Sequence, residues 1–342
     1  MIHQVMDRRA TLKKIGASGW AALQKPTLAV AGGVTPLAGC GGEGDAGGST
    51  YPYGKIFSST EELASYTRLS SLRNQALPLA HRSGHGPMGG LPENCLSGAR
   101  EILNTCPALI ELDVRTSQDQ QLVVHYAADL AHSTTGQGLL KNASLAELHR
   151  LHLKDINGVV TQERMSTLDN YLELTRQGAL LWLDIKAARP EAIVAAIRNQ
   201  KAENQVVVSA YGLENLDKYQ KLAPELVYFI PKDPKDLPTL HHIFNRIADL
   251  RRMIGFAGWY VPNFDDWNVL RQNDIPGLLE LSRGDARRPP ELVDERVYAT
   301  AVDEGFPIFC TNQYRRVAEL LQIRQWPEPA GLSKSVEAGG LA

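Results

Sequence analysis

Beyond residue 75 the chain is a succession of short apolar runs separated by amphipathic stretches. Runs near residues 77–81, 108–114, 122–125, 179–185, 205–210, 226–231, 252–257 and 307–311 are rich in Leu, Ile and Val and have the length of buried strands. Between several of them the apolar spacing changes to that of a helix, at Leu96–Asn104, Leu145–Leu151, Leu168–Gln177 and Pro190–Asn199. Alternation of this kind predicts an α/β fold with a closed parallel sheet. Residues 51–75 are expected to pack outside that barrel. Between Trp259 and Pro290 no strand is evident, because Pro262-Asn263-Phe264-Asp265-Asp266-Trp267 and Arg287-Arg288-Pro289-Pro290 read as loops.

The run at 108–114 is interrupted by Glu111 and Asp113. Side chains two apart on a strand share a face, so two carboxylates converge where apolar groups belong. A solvated edge strand would explain the pair; a bound hard cation would explain it if the face is buried. The neighbouring runs favour the second explanation. Leu79-Ala80 leads into His81-Arg82, Val123-Val124 into His125, and Trp182-Leu183 into Asp184-Ile185-Lys186. In an α/β barrel the C-terminal ends of the strands meet at one mouth, where active sites lie. Three such endings predict a site.

These motifs carry a resemblance. HRSG (81–84), PENC (92–95), ELD (111–113), VVHY (123–126), TTGQG (134–138) and DIK (184–186) occur in the order of the glycerophosphodiester phosphodiesterase motifs. The segment from Leu77 to Lys186 resembles that family, whose HRG, PEN, E-x-D, V-V-x-H-D, T-T-x-G-x-G and E-x-K elements they match. Glu163 to Leu168 is similar to its R-I-P-T-L segment. The resemblance implies a TIM-type (β/α)8 barrel of the phospholipase C-like phosphodiesterase kind. It implies hydrolysis of glycerophosphodiesters to glycerol 3-phosphate and an alcohol, with His81 and His125 as acid and base in an order left open.

Such chemistry must neutralise the phosphoryl charge, activate a nucleophile and protonate a leaving alkoxide. Glu111, Asp113 and Asp184 offer only oxygen ligands, which suits Ca2+ or Mg2+. Arg82 and Lys186 are suited to hold phosphoryl oxygens. Glu93 is either a helix-capping group or a residue near the metal that can become a ligand. Three positions depart from the family: Ser83 for glycine, Tyr126 for aspartate and Asp184 for glutamate. Asp-x-Lys at 184–186 also resembles the sphingomyelinase D relatives, so action on a phospholipid or lysophospholipid is an alternative. A catalytically weak, ligand-binding lipoprotein is another.

Composition limits the partners. The 342 residues are 43% hydrophobic with a sequence pI of about 6.5 and no basic cluster in the body, which argues against nucleic acid; a small-molecule phosphodiester substrate is what the resemblance implies. Residues 1–40 differ from the rest. Arg8-Arg9 and Lys13-Lys14 precede a mildly apolar stretch that ends Leu37-Ala38-Gly39-Cys40. This reads as an export signal, resembles a bacterial lipobox with Cys40 as the acylated residue, and carries a twin-arginine (Tat) pattern in which Thr11 replaces the usual phenylalanine. Residues 1–39 carry +4 against −2 for the whole chain, so the remainder carries −6 and anchoring to a membrane would depend on lipid. The expected organisation is a signal over 1–40, a linker and N-terminal extension over 41–75, the barrel over 76–325 and a tail over 326–342. The expected location is exported and lipid-anchored in a bacterial cell envelope. Cys95, Cys106 and Cys310 are expected as buried thiols, being odd in number, with Cys95 and Cys106 held apart at the two ends of one helix.

Overall fold

A computed structural model describes residues 49–72, 75–84, 89–231, 240–282 and 295–328. The expected export signal with Cys40, residues 41–48 of the expected linker and the tail beyond residue 328 lie outside the described residues. Within them, eight parallel strands close into a barrel: β1 (Leu77–Ala80), β2 (Leu109–Thr116), β6 (Leu181–Ala187), β7 (Val206–Ser209), β8 (Val227–Ile230), β9 (Met253–Trp259), β11 (Gly277–Glu280) and β12 (Ile308–Thr311). β1 pairs with both β12 and β2, which completes the closure.

Alternation along these strands separates two cores. Leu77, Leu79, Leu109, Leu180, Trp182, Val207, Phe229, Ile254, Leu278, Ile308 and Cys310 point inward and form one buried cluster. Ile110, Leu112, Leu181, Leu183, Val206 and Val208 point outward against the helices. The residues expected to lie outside the barrel contribute Phe57, Leu63, Tyr66 and Leu72 to the inner cluster. They close the barrel's floor. The helix Thr60–Tyr66, which presents Leu63 and Tyr66, is capped by Ser59, which accepts from the Glu62 N–H.

Two elements differ from the sequence reading. The run at 122–125 is not a barrel strand. β3 (Leu122–Val124) returns antiparallel on the end of β2, pairing Val124 with Val114. It opens an excursion to residue 167 in which β4 (His152–Lys154) pairs with β5 (Val160–Arg164). The excursion has its own small core of Cys95, Val123, Leu130, Leu140, Leu148, Leu153 and Met165. The missing barrel strand is β11, in the stretch read as loops. Its four residues, Gly-Leu-Leu-Glu after a proline, are too few for a periodic signal. Ahead of it, β10 (Val261–Pro262) folds back antiparallel on the end of β9. The helix that follows, Phe264–Gln272, begins where Asn263 accepts from the Asp266 N–H, with Asp265 and Asp266 in its first turn. The polar cluster is a helix start rather than a loop. Cys95, Cys106 and Cys310 are buried thiols, in no disulfide.

Candidate active site

The last inward positions of β1, β2 and β6 converge on the C-terminal mouth. Asp113 stands directly opposite Asp184, and Glu111 opposite Trp182. Glu111, Asp113 and Asp184 each present a carboxylate oxygen, all within 4.8 Å of one another. Glu111 and Asp113 are buried, which excludes the solvated edge strand.

The turn after β1 is shaped to meet them. Arg82, Ser83 and Gly84 have φ of 51°, 61° and 66°, the left-handed region in which an L side chain costs about 1–2 kcal/mol. Hydrogen bonds offset that cost. The Asn94 N–H donates to the Arg82 carbonyl at 2.8 Å, and the Ser83 hydroxyl donates to the Cys95 carbonyl at 2.8 Å. Serine thus holds the place of the family's glycine by gaining a bond that glycine lacks. The turn aims the Arg82 N–H at Glu111 Oε2, 2.5 Å away. Gly98 lets the following helix approach, since a Cβ there would lie 2.3 Å from the Ser83 carbonyl oxygen. Gly98→Ala is therefore expected to destabilise the fold by about 1–3 kcal/mol, read as a lower urea midpoint. An unchanged midpoint would show that the turn is not clamped there.

Asn94 is the functional residue that sequence reasoning passed over. Fully buried, it donates from Nδ2 to Asp113 Oδ2 at 2.7 Å and accepts the Asp113 N–H on Oδ1 at 3.1 Å. The buried Tyr171 hydroxyl holds its carbonyl at 2.8 Å. Its signal was its place inside PENC, beside the Glu93 that was singled out.

Cations thread the carboxylates. Lys186 Nζ lies 3.1 Å from Asp113 and 2.6 Å from Asp184; Arg82 lies 2.7 Å from Glu93 and 3.5 Å from Asp113. Burial opposes ionisation of Asp113, but Lys186 and Arg82 overcome it and hold its carboxyl below the usual range. Glu111 goes the other way: burial pushes it well up, and the charges of Asp113 and Asp184 add to the rise. Asp184 is also raised, by burial first and then Asp113, with Lys186 opposing. Four carboxyl groups, those of Glu93, Glu111, Asp113 and Asp184, face the two cations Arg82 and Lys186. Asp184 Oδ1 and Glu93 Oε1 are buried without a hydrogen bond. Orphaned oxygens and more carboxyl groups than cations, with the pKa values of two of them raised by the crowding, fit a hard divalent cation.

His81 Nδ1 lies 2.8 Å from Asn312 Oδ1, and Asn312 Nδ2 donates to the Ser282 carbonyl at 2.6 Å. The second bond fixes which end of the amide faces the imidazole. Nδ1 must then carry the proton, leaving the lone pair on Nε2. Burial, and then Arg82, lowers the His81 pKa. Glu280, on the unforeseen strand, lines the same cavity, and its carboxylate accepts from the Ser282 hydroxyl. Neither Ser282 nor Glu280 was visible as a site residue.

His125 departs from expectation. The β2–β3 hairpin brings it to the mouth, its N–H on the Asp113 carbonyl at 2.8 Å, yet its side chain is fully buried and neither ring nitrogen has a hydrogen bond. Burial pushes its pKa down to about 4. The next residue takes the wall position instead: Tyr126 lines the cavity with its ring 3.3 Å from the Arg82 guanidinium carbon. Where the family has an aspartate, this chain has an aromatic platform that orients Arg82. The cavity has a volume of about 770 Å3 and includes His81, Arg82, Glu111, Asp184 and Lys186 in its wall.

The fold and mouth define a parallel (β/α)8 barrel with an oxygen-rich, cation-compatible site at its C-terminal end. Residues 81–248 match the glycerophosphoryl diester phosphodiesterase family. It is 27% identical over 164 residues to a glycerophosphodiester phosphodiesterase of Caldanaerobacter subterraneus; the match covers 44% of this chain and 65% of the relative, less than two thirds of its length. A glycerophosphoryl diester phosphodiesterase structure from Parabacteroides distasonis superposes with a TM-score of 0.70 at 21% identity, over 78% of this chain and 93% of the other. A phosphodiesterase of Oleispira antarctica, solved with the product sn-glycerol-3-phosphate, superposes with a TM-score of 0.56 at 18% identity, over 72% of this chain and 97% of the other.

Proposed function

We propose that this protein hydrolyses glycerophosphodiesters to glycerol 3-phosphate and an alcohol, with Ca2+ or Mg2+ held by Glu111, Asp113 and Asp184. The observation that carries the reading is the single mouth at which these carboxylates, Arg82, Lys186 and a tautomer-fixed His81 meet. The product bound to the Oleispira antarctica protein is the one this reading expects. Arg82 and Lys186 hold the phosphoryl oxygens once a cation neutralises the carboxylates that now engage them. The bound cation supplies Lewis-acid stabilisation of the phosphoryl charge. Glu93 keeps Arg82 in place through their 2.7 Å ion pair and has a second, orphaned oxygen for the cation. His81 accepts a proton at Nε2, the role its tautomer prescribes. His125 is the candidate acid, and its protonation requires that the charge of the bound diester raise a pKa now near 4.

The burial of His125 is also what favours the second reading, a catalytically weak barrel that binds phosphorylated ligands. One experiment separates them. The full chain is stripped of metal and given a panel of glycerophosphodiesters with Ca2+, Mg2+ or chelator, followed by 31P resonance. Metal-dependent release of glycerol 3-phosphate, lost in His81→Ala, supports the enzyme. A folded protein that binds metal and cleaves nothing leaves the binding protein. Export and lipid attachment through Cys40 belong to the same proposal, on the strength of Leu37-Ala38-Gly39-Cys40. Mass spectrometry of wild type and Cys40→Ser from a bacterial host tests it: a diacylglyceryl adduct on the first alone is expected.

A further inference from the structure

His81 is held by a chain of hydrogen bonds that leaves the β1 turn for β12 and β11. Its Nδ1 lies 2.8 Å from Asn312 Oδ1, and Asn312 Nδ2 donates to the Ser282 carbonyl at 2.6 Å. Ser282 in turn donates its N–H, at 2.8 Å, and its hydroxyl to one oxygen of Glu280, Oε1. Asn312 and Ser282 are each 2% exposed, while Glu280 lines the cavity. All three residues lie beyond residue 248, where the family match ends.

Each link decides the next. A primary amide can present either its oxygen or its NH2 to an imidazole. With the oxygen forward, Nδ1 carries the proton and Nε2 is the acceptor. With the NH2 forward the tautomer reverses, and Nε2 can no longer accept. The Ser282 carbonyl, which accepts and cannot donate, selects the first arrangement. Ser282 follows the end of β11 at Glu280, so the strand ladder does not fix that carbonyl. Two bonds to one carboxylate oxygen hold Ser282 instead, and bonds to a charged acceptor are roughly twice as strong as neutral ones. Glu280 also acts through its charge. Burial and then Arg82 disfavour a protonated His81, while Glu280 and Asp113 favour it, and the Asn312 bond adds to them.

We propose that Glu280 is a positioning residue for His81: through Ser282 it keeps the Asn312 amide in the orientation that makes Nε2 the accepting nitrogen. The assignment rests on His81 as the base of the hydrolysis proposed above.

The test compares the full chain, with metal, with Glu280→Ala, Glu280→Gln, Asn312→Leu and the double variant Glu280→Ala/Asn312→Leu. Glu280→Ala should lower kcat about tenfold or more with little change in KM, the pattern expected for a base in the wrong tautomer. The double variant should be no slower than Asn312→Leu, because both changes act on one tautomer. Glu280→Gln keeps an oxygen for Ser282 and should recover much of the kcat lost in Glu280→Ala. Its acid limb should move to lower pH, because the imidazolium has lost a counter-charge. 15N spectra of histidine-labelled protein, assigned with His81→Ala, read the tautomer without turnover. Nε2 is expected unprotonated in wild type and Glu280→Gln, and protonated in part of the population in Glu280→Ala. A wild-type Nε2 that carries the proton, or an unchanged tautomer in Glu280→Ala, overturns the proposal. So does a double variant whose loss is the product of the two single losses. Should no diester be cleaved, the hydrolysis fails by itself and the spectra still decide what Glu280 does.

Discussion

Glu111→Gln is expected to make the metal-free protein more stable at neutral pH and to abolish metal-dependent hydrolysis. Glu111 is buried beside Asp113 and Asp184, and its pKa is raised well above the ordinary value. A carboxyl raised in the folded state holds a proton that the unfolded chain has released. The stability it confers is full below the unfolded value of about 4.3 and is lost as pH rises through the folded one. Asp184, raised too, acts in the same direction. Asp113 is depressed and acts oppositely: its stabilisation is present above about 3.9, the unfolded value, and is lost only in stronger acid. Metal-free wild type should therefore weaken as pH climbs from about 4.3, by up to about 1.4 kcal/mol per pH unit from Glu111 alone. Glutamine keeps an oxygen for the Arg82 N–H and removes that dependence. Metal reverses the order, because a cation at 100 times its dissociation constant adds about 2.7 kcal/mol to wild type and far less to a variant that has lost a ligand. Urea unfolding at several pH values, with chelator and with Ca2+, reads both effects. Equal pH dependence in wild type and Glu111→Gln would remove Glu111 from the coupled cluster. Retained hydrolysis would remove it from the metal.

Strand periodicity makes half of this site readable in the chain alone. Glu111 and Asp113 two apart, and Asp184-x-Lys186 at the end of the next barrel strand, declare a shared face by local arithmetic. The fold was legible for the same reason, since parallel barrel strands buried on both faces are continuous apolar runs. What stayed hidden depends on distances in sequence that no window spans. Asn312 lies 231 residues from His81, and its amide is oriented by a carbonyl 30 residues away from it. Asn94 is 19 residues from the Asp113 it serves. β11 was lost to brevity, and the helix before it to a capping asparagine that reads equally well as a turn. His125 was placed at the mouth by its apolar run, which is correct for its backbone. Its burial is set by packing across the β2–β3 hairpin, which a run of apolar residues does not report. The floor of the barrel was misjudged similarly: Phe57 and Tyr66 look like residues of a peripheral extension until the open end of the barrel requires a plug.

His81→Ala is expected to lower kcat/KM by about 10^2–10^4, the range of a lost general base, and the pH profiles of Asn312 variants should identify that base as His81. Its pKa is lowered by burial and Arg82, so His81 sets the acid limb of hydrolysis, while any loss at higher pH belongs to the acid, for which His125 is the candidate. Asn312→Asp places a carboxylate on the Nδ1–H in place of an amide oxygen. The imidazolium gains a charge partner, the folded pKa rises, and the acid limb of kcat/KM should move to higher pH while the plateau above it persists. Asn312→Leu removes the acceptor altogether. The tautomer is then unfixed, Nε2 is protonated in part of the population, and the plateau itself should drop, about tenfold or more, with little change in KM. A merely structural asparagine would give neither pattern, because loss of folded protein scales kcat at every pH alike. If His81→Ala is inactive yet the limb does not move in Asn312→Asp, the proton acceptor is another group at the mouth. Glu280 is then the first to replace, since it lines the same cavity and its charge already bears on His81.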